Sequence, residues 1–301
     1  MNQVHIPAFT LAPTVKVVEQ PRPTGPRTPN FIADIAAGRV ELPTIPKVVQ
    51  RLIAALRNPE VDARTIGEAL AQDPVLTAKV LRLANSSFFG GQRRVASIDA
   101  AVTMIGTQAL NRLIVACGVS ASLGDVPGID LPTFWRDALV AATAAHELAG
   151  RLTADAEEAY VCGLLHATGH LILCKTYPEI ADLVFTGFAT VRGAELAALE
   201  NDNFGIDHAS VGGLWVESIG FPLPVIATIR KSAQPPADTD GPLDLTLRGA
   251  FALALAVADK APAEAAFAAL SAPVQSRFPA GAADPAFAKL FASLQETEPT
   301  L

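Results

Sequence analysis

From residue 31 to the end of the chain, apolar residues recur at helical spacing in short runs separated by Gly, Pro and capping residues. Pro46 can open a helix to residue 57, which Asn58-Pro59 ends, and Asp62 is placed to cap DARTIGEALAQ. Asp73-Pro74 then pairs a capping carboxylate with proline at the first helical position, and Leu76, Val80 and Leu83 mark a buried face at i, i+4, i+7. Ser97 caps IDAAVTMIG, where Ile98, Ala101, Val102 and Ile105 keep that spacing, Gly106 ends it, and Thr107 caps TQALNRLIVACG. A long helix is predicted over 132–152, and Asp155 opens a strongly apolar helix that Tyr177-Pro178 breaks. PEIADLVFTGF, GAELAALEND, HASVGGLWVES with Asp207 as its cap, a helix restarted by Pro222 and Pro224, a nearly continuous Ala/Leu segment over 244–260, and a last helix after Asp284-Pro285 complete the series. No strand ladder and no fixed-period repeat interrupts it, so the expected fold is all-α.

The punctuation also divides the chain. Prolines at 7, 13, 21, 23, 26 and 29 make residues 1–30 an extended, largely disordered tail, suited to docking on a partner or on the rest of the chain. Residues 31–124 form a lobe of short helices, and Pro127 and Gly128 mark the seam after it. Residues 130–261 form a second lobe, and 262–301 a C-terminal helical extension.

Composition narrows the function classes. The 301 residues are 50% hydrophobic and only 18% charged, enough to bury a large core. A net charge of −7 argues against a general nucleic-acid surface, including one built on the short helices around Thr107. No apolar run is long enough to span a membrane, and the N-terminus lacks a signal-peptide layout. Three cysteines make no disulfide framework, so a reducing, cytoplasmic compartment is expected.

The chemistry concentrates in YVCGLLHATGHLIL. His166 and His170 lie one helical turn apart, with Cys162 four residues before and Cys174 four residues after. Read as one helix, the series drifts about forty degrees per step and its ends lie about 18 Å apart, so all four cannot meet one metal. A tetrahedral site would need His146, His208 or a carboxylate from elsewhere. The plainer reading has the histidines hydrogen-bonded to backbone and the cysteines packed as small apolar groups. A second unusual stretch is NSSFFGGQRR. Asn85, Phe88, Phe89, Arg93 and Arg94 there offer a partner anchor beside a basic edge that Lys79, Arg82 and Arg112 extend, or else the two aromatics plug the junction between lobes.

LPTIPKVVQRLIAAL, the DPVLTAKVLRLANSSFFG run, SIDAAVTMIGTQALNRLI, FWRDALVAATAAHELA, AYVCGLLHATGHLIL and FGIDHASVGGLWVESIGFP together resemble the HDOD family, over roughly residues 31–261. The resemblance implies a helical lobe packed on a lobe like that of the HD metal-dependent phosphohydrolases, and a bacterial signalling module acting through contacts with other proteins. Carried over position by position, His166 stands at the HD histidine but the following aspartate is Ala167. The earlier ligand histidine falls on Asp137, the later paired histidines near Ser232 and Ala233, and Asp259 can stand for the terminal aspartate. A methyl group cannot bridge metals, so the expectation is a vestigial site or cleft around Asp137, His166, His170, His208 and Asp259. It carries no catalytic residue, metal or cofactor, and can still take a small molecule or nucleotide. The alternative is a metal- or nucleotide-dependent phosphohydrolase.

Overall fold

The computed structural model describes residues 30–47, 49–50, 70, 73–85, 95–185 and 193–297. The Pro-rich tail, most of the helix predicted from Pro46, the helix capped by Asp62, and Phe88, Phe89, Arg93 and Arg94 lie outside them. Among the described residues every regular element is a helix, which makes the fold all-α.

Helix α1 (Phe31–Ala36) begins at Asn30, whose side chain accepts the Ala33 amide. Although first in the chain, α1 rests on the second lobe. Phe31 meets Tyr177 edge-on, Tyr177 stacks on Phe204, and the Tyr177 hydroxyl donates to Asp34 at 2.7 Å. Nine residues on from Asp34, the Pro43 carbonyl accepts the Trp215 indole N–H.

Helices α2 (Pro74–Ala84), α3 (Ile98–Ile105) and α4 (Thr107–Leu123) form the described bundle of the first lobe. Asp73 caps α2 through the Leu76 amide and Ser97 caps α3 through the Ala100 amide, the starts their sequences predict. Leu76, Val80 and Leu83 are buried, each stabilising by about 1.5–3 kcal/mol relative to exposure. The α3–α4 corner differs from its expected form in one detail. Gly106, at φ +82°, both ends α3 and precedes α4, so Thr107 is the first helical residue and not the cap.

Helix α5 (Leu131–Leu152) is the spine of the second lobe, flanked by α6 (Ala156–Leu165) and α12 (Pro242–Ala258). Its alanines permit close crossing. A Cβ built on Gly163 of α6 would lie 2.6 Å from the Ala142 Cα, so the two backbones touch. Between α6 and α12 come α7 (Thr168–Thr176), α8 (Pro178–Phe185), α9 (Gly193–Phe204), α10 (His208–Ser218) and α11 (Leu223–Lys231). After α12 follow α13 (Ala263–Ala268), α14 (Ala272–Gln275), a short 3₁₀ turn and α15 (Pro285–Gln295).

Two apolar cores result. One is continuous from Phe31 to Leu247 and crosses the 125–129 connection, joining Leu110, Leu113 and Ile114 of α4 to Trp135, Leu139 and Leu164. The other lies behind α5 and α12, where Phe278, Phe287 and Phe291 pack on Leu148, Leu152 and Leu253. The C-terminal extension therefore packs on the spine helix together with α12.

Candidate functional site

The histidine segment is two helices, not one. Leu165 ends α6, and Ala167, at φ −104° and ψ 3°, precedes α7. Side chains take the carbonyls that a continuous helix would use. His166 Nδ1 lies 2.8 Å from the Gly163 carbonyl, and the Thr168 hydroxyl donates to that of Leu165 at 2.7 Å. The four-residue spacing of Cys162, His166, His170 and Cys174 thus spans a break, and the geometry expected of a single helix does not apply.

The break brings α7 against α10. A Cβ on Gly169 would lie 2.0 Å from the His208 carbonyl oxygen and 2.6 Å from the Gly212 amide nitrogen, so only glycine permits this crossing. His170 follows immediately and His208 opens α10 after its cap, Asp207, which accepts the Ser210 amide. Their common partner is Glu200 of α9, a fully buried carboxylate. Its Oε1 lies 2.7 Å from His170 Nδ1, and its Oε2 lies 2.6 Å from His208 Nδ1 while also accepting the His208 amide at 2.7 Å. Two side chains and one backbone amide from two helices clasp a single anion.

The electrostatics follow from these contacts. Burial would raise the Glu200 pKa, but His170 and His208 hold it below the ordinary carboxylate value. Burial would lower His170, but Cys174, with Sγ 3.6 Å from Nε2, and Glu200 outweigh it and push the imidazole up to about 9. Glu200 and His170 form a buried ion pair at neutral pH. His166 behaves oppositely. Its ring lies 4.3 Å from that of Phe251, and burial pushes it down to about 4, further lowered by His208 and partly offset by the Gly163 carbonyl. Cys117 and Cys162 are buried thiols whose pKa values desolvation raises, that of Cys117 to about 12, so neither offers a ready thiolate.

The remaining sequence candidates are dispersed. Asp137 pairs with its neighbour Arg136 at 2.7 Å, and Asp259 is the C-terminal cap of α12. Ser232 donates back to the Ile229 carbonyl, and the Ala167 carbonyl accepts the His170 amide at 3.0 Å. Asn85 pairs with Val95, accepting its amide at 2.7 Å and donating to its carbonyl at 2.8 Å. Arg112 does not extend a basic surface, because it turns inward to Glu157 and His146. Among the described residues, no three His, Cys, Asp or Glu side chains are grouped to hold a metal ion.

Sequence reasoning missed Glu200 and Phe251. Glu200 had a signal, since it falls at i+3 from Ala197 and i−4 from Phe204 on the buried face of α9, where an unpartnered carboxylate would be costly.

The fold and this cluster define a class, a two-lobed, all-helical module of HD-like architecture with histidines at its α7–α10 crossing. The chain belongs to the HDOD family, whose HDOD domain model matches residues 42–235. A Treponema pallidum (strain Nichols) protein is 28% identical over 207 residues, a match covering 68% of this chain and 40% of that protein. The chain thus accounts for well under half the length of this curated relative. A crystal structure from Shewanella amazonensis SB2B, provisionally named a phosphohydrolase, is 28% identical with a TM-score of 0.69 over 88% of this chain and 96% of that one. An HDOD domain protein of unknown function from Geobacter sulfurreducens is 26% identical with a TM-score of 0.61, covering 76% and 77% of the two chains.

Proposed function

We propose that this chain is a noncatalytic bacterial signalling module that acts by contact with other proteins. The observation that carries the reading is Ala167 beside His166. The Nδ1 atoms of His170 and His208 are committed to an internal carboxylate, and Ala167 removes the oxygen ligand next to His166. Metal-assisted hydrolysis needs a complete, open first shell, and Ala167 leaves no carboxylate beside His166 to complete it. HDOD membership supports the signalling role. We assign the partner face to the segment after Asn85, because Phe88, Phe89, Arg93 and Arg94 supply aromatic anchors beside a basic edge. The cytoplasm is the compartment this role and the three free cysteines suit.

The competing reading is a phosphohydrolase, favoured by the name given to the Shewanella relative and by the retained His166. Metal content of the native, untagged protein separates the two. The scaffold reading predicts substoichiometric metal that His166→Ala leaves unchanged. Near-stoichiometric metal that the substitution removes would establish a working site.

A further inference from the structure

Arg112, in the middle of α4, reaches out of its own lobe. Its Nη1 donates to Glu157 Oε1 of α6 at 2.7 Å and lies 2.8 Å from His146 Nε2 of α5, with the guanidinium 5.5 Å from the centre of the Tyr160 ring. A guanidinium can only donate, so His146 Nε2 is the acceptor and the ring carries its hydrogen on Nδ1, which faces Glu147 at 3.8 Å. The imidazole in this arrangement is neutral. Glu157 meanwhile keeps one oxygen unused. Its Oε2 is buried without a hydrogen-bond partner, while Oε1 lies 3.6 Å from His146 Nε2. Glu157 Oε1 thus stands beside Nε2, the ring nitrogen that becomes a donor when the imidazole gains a proton.

We propose that His146 is a proton-operated toggle at the junction of the two lobes. Neutral, it accepts from Arg112 and ties α4 to α5. Protonated, it donates to Glu157, and Arg112 loses its hold on α5 while keeping Glu157. The groups that face the ring are Arg112 from α4, Glu147 from α5 itself and Glu157 from α6. Tyr160 lies under the guanidinium, and Lys289 of α15 acts on Glu147. A side chain 27% exposed admits the proton.

Glu147 and then Glu157 hold the His146 pKa above its usual value, against burial and the Arg112 charge. The sign has a consequence. A raised folded pKa means that protonation adds overall stability, fully present below the unfolded value and lost as pH rises through the raised one. The tie between α4 and α5 runs the other way and weakens on protonation. Overall stability and local protection of α4 therefore move in opposite directions, which a plain ion pair would not produce.

Ring-nitrogen NMR of the full chain from about pH 5.5 to 9, with hydrogen exchange read over 107–123, tests this. At high pH His146 is expected as the Nδ1–H tautomer. Through its titration, exchange in α4 corrected for intrinsic rate should rise about three- to tenfold, the range one lost hydrogen bond accounts for. His146→Gln, whose amide oxygen accepts from Arg112 at any pH, should keep α4 slow throughout. An Nε2–H tautomer at high pH, or α4 exchange that does not follow the titration, would overturn the proposal using the wild-type protein alone. Persistence of the rise in a folded His146→Gln protein would overturn it as well.

Discussion

His166 and His170 lie within three residues of Gly169 at the α7–α10 crossing, and their pKa values shift in opposite directions, which shapes the pH response of the protein. His170, held at about 9 in the fold, contributes stability that is complete below about pH 6.5 and lost as pH rises through 9, on the order of 3 kcal/mol. His166, held at about 4, contributes stability present above about 6.5 and lost as pH falls toward 4. Together they place a stability maximum near pH 6.5, which denaturant midpoints across the range will show. Glu200→Gln should flatten the alkaline side and cost about 3 kcal/mol, because it leaves an imidazolium without its counter-charge. His166→Gln should flatten the acid side instead. An unchanged alkaline slope in Glu200→Gln would mean that His170 owes its raised pKa to something else. Little of this was legible in the chain. His166 and His170 announced themselves as polar residues in an apolar run, and His166 meets a backbone carbonyl as expected, but the partner of His170 lies thirty residues on, and no local spacing links the two.

At the scale of elements, capping chemistry was the most legible part of the sequence. Asp73, Ser97, Asp155, Asp207 and Asp284 each accept an amide at the helix start predicted for them, because a cap acts within three residues and needs no tertiary partner. The break after Leu165 was not legible, since each residue there tolerates a helix and the interruption comes from side chains capturing carbonyls beneath the α7–α10 crossing. Gly169 tests that crossing. Gly169→Ala should separate α7 from α10, lower stability by several kcal/mol and disturb both His170 and His208, because its Cβ meets backbone and not a movable side chain. Gly150→Ala is the internal control. It lies exposed on α5 with no atom within 4 Å of a built Cβ, so it should stabilise by about 0.5–1 kcal/mol. Equal effects of the two substitutions on thermal midpoint would contradict the close crossing.

For the whole molecule, the division into lobes reads clearly in the punctuation but less clearly in the packing. The core that starts at Phe31 runs through both lobes, and the Trp215 and Tyr177 contacts strap residues 30–45 to the second. The family match ends at residue 235, yet α12 to α15 build a second core on the spine helix. Truncation after Ala261 should strip aromatic cover from Leu148, Leu152 and Leu253, giving a chain that light scattering reads as aggregated, whereas a monodisperse, cooperatively unfolding product would show the extension to be dispensable. Turnover tests the absence of catalysis most directly. A chromogenic phosphodiester and a nucleotide panel, assayed with added Mn²⁺ or Mg²⁺, should show no hydrolysis above background for wild type and His166→Ala alike. Hydrolysis by wild type that His166→Ala abolishes would contradict the noncatalytic account.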